Sequence, residues 1–110
     1  MSAPSSNLPW AEQYRLVAKE YVALKAAADL LEECKSATLA KRMAAQGDMP
    51  VSRAEMAVKA SDEWADYIRT MVAAREQSEL KRVHLEYIRM KFQEWSSANA
   101  TQRAEMRLAS

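Results

Sequence analysis

The chain has 110 residues, 49% of them hydrophobic and 28% charged, with Gly 1, Pro 3 and Cys 1. That length supports one core, and so little glycine and proline excludes a β-rich fold, whose strands need turns at short intervals. Lys+Arg 16 against Asp+Glu 15 leaves no basic excess of the kind that binds nucleic acid through its phosphates.

A lone cysteine, Cys34, cannot form an internal disulfide and suits a reducing compartment. Neither a basic-then-apolar leader nor a run of about 20 apolar residues is present. The expected location is therefore the cytoplasm of a bacterium or of an infected host cell, with no membrane partner.

In chain order, residues 1–8 are small, polar and proline-containing and read as a disordered arm. Pro9 suits the first turn of a helix, with Asn7 or Leu8 near the cap. From there apolar residues recur at spacings of four and three: Trp10, Tyr14, Val17, Tyr21, Leu24, Ala28, Leu31. This is a heptad seam, and Glu12, Arg15, Lys19 and Lys25 occupy the opposite face. Ala23, Ala27, Leu30, Cys34 and Ala37 widen the stripe, as a bundle core requires. The predicted helix covers about 9–46, weakened near Ser36 and Thr38, with Lys41 and Arg42 complementing its C-terminal dipole and Gly47 closing it in the left-handed conformation.

Residues 47–51 form the turn. Ser52 and Glu55 then match a capping box, with Val51 and Met56 as its hydrophobic staple. A second helix of about 52–95 repeats the seam through Ala57, Ala60, Trp64, Tyr67, Met71 and Ala74. Ser78 and Lys81 interrupt it, and Leu85, Ile88, Phe92 and Trp95 resume it. Val72, Leu80 and Val83 flank the interruption, so a rotation of the buried face is expected there. So short a turn makes the helices antiparallel neighbours and brings Trp64 near Ala28–Leu31 and Ile88 near Trp10.

The expected fold is thus all-α: a single antiparallel helical hairpin over 9–110 with bundle or coiled-coil packing and a long second helix. The first helix spans about 57 Å, and an unbroken second helix from Ser52 to Leu108 spans about 85 Å. The surplus carries Phe92, Trp95, Met106 and Leu108. Either the chain bends at Ser96–Asn99, where helix propensity is poor, and a short third helix over about 99–109 folds back, or the helix continues and a second copy covers it.

Few residues offer chemistry. His84 is the only histidine and has Lys81, not a glutamate, three residues before it, so the di-metal bundle motif is missing and a surface or half-buried residue is expected. Cys34 has no resolving cysteine and reads as a small buried hydrophobe. Asp62 and Asp66 share a helix face but lack the additional oxygen ligands a cation needs. No phosphate loop or nucleophile elbow is present, so neither catalysis, nor a cofactor, nor a bound metal is expected. The methionines, among them Met71, Met90 and Met106, suit adaptable packing in a core or against a partner. Between Tyr87 and Phe92 aromatics alternate with bases, and Arg103 and Arg107 follow, as on a single-strand-binding surface, but Glu86, Glu94 and Glu105 neutralise that pattern.

Phe92-Gln93-Glu94-Trp95 and Arg103-Ala104-Glu105-Met106-Arg107-Leu108 resemble the tails of small helical proteins encoded by temperate bacteriophages and prophages. The resemblance covers the last third of the chain and implies a short accessory protein acting on a host or phage partner; it carries no site residues with it. The expected function is protein–protein contact by a self-associating, dimeric, non-enzymatic hairpin. Phe92, Trp95 and Met106 are its apolar anchors, and Arg89, Lys91, Arg103 and Arg107 its rim. The alternative is a nucleic-acid-binding accessory protein of phage recombination or regulation.

Overall fold

Four helices follow in order: α1 (Trp10–Glu33), α2 (Lys35–Ala44), α3 (Val51–Lys59) and α4 (Asp62–Ala109). The computed structural model describes residues 8–109, so the expected arm lies, apart from Leu8, outside the described residues. No strand occurs among the described residues, and the fold is an all-α hairpin in which the long last helix packs on the first. The chain divides into two compact units, Val22–Ser78 and the residues up to Tyr21 joined with those from Glu79.

In the unit Val22–Ser78, Ala28 of α1, Ala54 and Val58 of α3, and Trp64 and Met71 of α4 are buried. The Tyr67 hydroxyl donates to the Leu31 carbonyl, and Arg75 Nε lies 2.9 Å from Glu32 Oε1, which tie the end of α1 to α4. Trp64 and Tyr67 stack with ring centroids 5.4 Å apart. α2 packs against α3 but has no fully buried residue. The alanines and leucine expected to widen the stripe remain exposed, as does Cys34, which is not the buried hydrophobe expected of it. A hairpin needs only one stripe covered, so the narrow seam suffices.

The turns differ from expectation in instructive ways. The first helix is broken at Cys34, just before the weak Ser36–Thr38 stretch, so α1 and α2 are separate. Gly47 has φ +90°, the left-handed conformation its position predicted. The capping box does not form. Pro50, with φ −56° and ψ 144°, is itself the cap, and its carbonyl accepts from the Ala54 N–H at 3.0 Å. Ser52 therefore lies inside the first turn of α3, and Val51 and Met56 are both 73% exposed, so the staple is open as well. Proline's fixed φ starts the helix two residues earlier than the serine would.

The second helix is not continuous from Ser52 either. It breaks at Ala60–Ser61, and Ser61 is the cap that the capping-box reading overlooked: its Oγ accepts from the Trp64 N–H at 3.2 Å and donates to the Val58 carbonyl at 2.6 Å. Asp62 and Glu63 follow in the first turn of α4, where their charge suits the helix dipole. The break resets the helical phase, which is why Ala54 and Val58 are buried and the expected Ala57 and Ala60 are exposed.

In the other unit, Val17 of α1 packs with Leu85 and Ile88 of α4, and Trp10, Ala18 and Tyr21 border them. The expected rotation of the buried face does not occur. Leu80 and Val83 stay exposed here, as Val72 does in the unit Val22–Ser78, and the polar positions Ser78 and Lys81 are each at least partly buried. Ser78, the last residue of the unit Val22–Ser78, is only 5% exposed and donates to the Arg75 carbonyl at 2.9 Å. Lys81 Nζ lies 2.6 Å from Glu20 Oε2, an oxygen that is fully shielded. The contact is an ion pair held by charge, without an aligned hydrogen bond. Polar groups remain in a seam when a partner satisfies them, so the four-three spacing outlasts the change in residue type.

Two stability measurements follow from this geometry. Ser61→Ala should cost about 1 kcal/mol, as loss of a helix cap does, while Ser52→Ala should change stability by no more than a few tenths. Equal effects in urea unfolding would contradict the observed caps. Lys81→Ala, which leaves the shielded Glu20 carboxylate without its cation, should cost about 1–3 kcal/mol. Replacing Glu20 and Lys81 together by leucine should restore or exceed the starting stability. A double variant weaker than either single one would show that the pair itself stabilises the fold.

Candidate interaction surface at the end of α4

Every residue expected to form a working surface lies on the second half of α4, and all of them are exposed. Of the two routes the sequence left open, the chain takes the continuous one, since α4 runs unbroken through Ser96–Asn99 to Ala109. Among the described residues, no separate C-terminal helix folds back. Beyond Trp95, among the described residues, only Ser96 and Asn99 are even half-buried.

At about 100° per residue, Phe92, Trp95, Asn99, Gln102 and Met106 fall on the same side of α4 as the buried Leu85 and Ile88. Lys91 and Arg103 flank that stripe, and Arg89 and Arg107 stand farther round. The candidate anchors thus extend the core face past the point where α1 begins. Phe92 is 43% exposed, Trp95 51% and Met106 64%. The rings of Phe92 and Trp95 lie 6.0 Å apart, tilted by 33°.

The start of α1 completes this end. Trp10, Ala11 and Tyr14 enclose, with Ile88, Arg89 and Phe92, an apolar groove of about 270 Å³. Leu8, Pro9 and Gln13 reach Phe92 and Trp95 beside it. Gln13 Nε2 donates to the Leu8 carbonyl at 2.7 Å and holds that end of the chain against the helix. In the sequence Trp10 and Tyr14 read only as core residues; their place opposite Phe92 was already implied by the antiparallel pairing of Trp10 with Ile88.

The bases are largely engaged with their own helix. Arg89 pairs with Glu86 at 2.9 Å and Lys91 with Glu94 at 3.5 Å, while Lys91 also lies 5.9 Å from the centre of the Tyr87 ring. Arg103 Nε donates to the Asn99 carbonyl at 3.4 Å. In the first turns of α1, a hydrogen bond from Arg15 lowers the Glu12 pKa below its ordinary value and raises that of Arg15. Such exposed pairs shape the surface charge more than they stabilise the fold.

No group of three or more potential metal ligands occurs among the described residues, and His84 is half-buried with no such group around it. No described helix is long and apolar enough to cross a membrane. No family model matches the chain, and neither a curated protein nor a solved structure matches it.

Proposed function

We propose that this is a non-enzymatic interaction protein that works through the exposed aromatic stripe at the end of α4 and associates with itself. What carries the reading is that the core face continues beyond its intramolecular cover, leaving Phe92, Trp95 and Met106 in line and exposed. Large aromatics next to arginines are the residues that dominate interface energetics, and a row of them in register with a core is an unusual way to finish a monomer. The resemblance of the closing run to phage and prophage proteins supports a setting in a bacterial or infected cytoplasm, with a host or phage protein as a further partner.

Nucleic-acid binding is the weaker reading. Arg89 and Lys91 face Glu86 and Glu94 on their own helix, so neutralising a phosphate would first require breaking those pairs.

Trp95→Ala should weaken self-association about thirty-fold, the equivalent of about 2 kcal/mol at a central aromatic anchor. Sedimentation equilibrium over a wide concentration range measures this directly. A chain that stays monomeric throughout would remove the self-association. Retardation of DNA or RNA at low salt, lost on neutralising Arg89, Lys91, Arg103 and Arg107, would favour the other reading.

A further inference from the structure

The proposed interaction surface has a property that selects its occupant. Beyond Trp95 the four-three spacing does not stop; it continues through Asn99, Gln102, Met106 and Ala109, and only the residue type changes. The stripe is aromatic at one end, amide in the middle and methionine at the other.

Building on the reading of α4's end as an interface, we infer that a second copy of the chain covers this stripe antiparallel. In that arrangement Trp95 lies opposite the partner's Met106, Asn99 opposite the partner's Gln102, and Phe92 opposite the partner's Ala109. Two-fold symmetry repeats each pairing in reverse. The central layers then join amide to amide, where donors and acceptors satisfy one another, the layers flanking them join the Trp95 ring to the flexible Met106 thioether, and the outermost set Phe92 against Ala109. A buried amide layer of this kind sets the register of a helical pair.

Neighbouring registers are worse on the same chemistry. Sliding the helices one heptad deeper sets Trp95 against the partner's Asn99 and Phe92 against the partner's Gln102, which buries amides on rings, and it brings Arg89 beside the partner's Arg103. Sliding them one heptad apart sets Asn99 against the partner's Ala109 and Gln102 against the partner's Met106, which buries each amide on an apolar side chain. A parallel pair meets a different obstacle. Leu8, Pro9 and Trp10 border Phe92 and Trp95, which stay about half exposed, and two parallel copies would bring both α1 starts to one level. In the antiparallel pair each α4 is covered first by its own α1 and then by the partner's α4, end to end.

The test uses the full chain with Cys34→Ser, because Cys34 is exposed and would cross-link on its own. One preparation carries Asn99→Cys and another Gln102→Cys, and glutathione disulfide is the oxidant. Mixed, the two should form the mixed disulfide at least ten-fold more than either forms a disulfide with itself. Met106→Glu, whose side chain is largely exposed in the single chain, should weaken the dimer at least ten-fold without loss of the α1–α4 core. A dimer in which each variant prefers to link to itself would overturn the antiparallel register and leave the α4 end standing as an interface. A chain monomeric at all concentrations would overturn it too. If deleting residues 1–7 from that monomer then opened Trp95 to a fluorescence quencher, the face would belong to the chain's own first residues.

Discussion

The structure depends on one constraint: an apolar stripe at four-three spacing along α4 has to be covered by another helix. That helix has neither glycine nor proline to end it, so the requirement runs its whole length. α1 answers it where the two meet, from the Leu31 carbonyl held by Tyr67 in one unit to Trp10 beside Ile88 in the other. Where α1 begins, the cover ends, and the stripe does not.

The seam is not uniformly apolar, and its polar positions have a separate meaning. Ser78 satisfies its hydroxyl within its own helix, so its burial costs little. Glu20 and Lys81 instead need each other across the hairpin, with both side chains mostly out of water. Apolar residues in their place would hold the helices together at least as well. What the pair adds is discrimination, because a hairpin slipped by one turn would bury a carboxylate and an ammonium apart. A seam of interchangeable aliphatics cannot penalise a slip in that way. The same logic, transposed to amides, is what the proposed antiparallel pair asks of Asn99 and Gln102.

The core seam was legible because its spacing is periodic over many turns, and a periodic signal survives local error. Val17, Ala28, Trp64, Met71, Leu85 and Ile88 were all readable in this way, and so was the left-handed Gly47. The helix boundaries were not. Ser52 with Glu55 matches a capping pattern, yet Pro50 stands two residues earlier with its dihedral already fixed, and covalent geometry outranks a side-chain hydrogen bond. Ser61 was missed because it lies inside an apparently continuous heptad, where nothing in the spacing marks a stop. Cys34 and the alanines near it were placed in the core by their positions beside the heptad stripe. Alanine is as much a helix former as a core residue, and here it serves the backbone. The candidate surface was legible only as a mismatch of lengths. The groove formed by Trp10, Tyr14 and Phe92 could not be separated from the core until the start of α1 was placed.

The uncovered turns also raise a question of why they are helical at all. Ser96, Ser97, Asn99 and Thr101 are poor helix formers, and an isolated segment of this length would be marginal in water. It is not isolated, however. Nucleation, the costly step, has been met within the hairpin, and each further residue only has to propagate the helix. Propagation through weak residues is close to neutral, so the end of α4 is poised between helix and fraying, with little driving it either way. Covering the stripe at Trp95 and Met106 would add apolar burial at about 25 cal/mol per Å² to a segment that otherwise gains none. The surface and the conformation that presents it are therefore the same equilibrium. A partner laid on the stripe would order, in the same step, the scaffold that presents it.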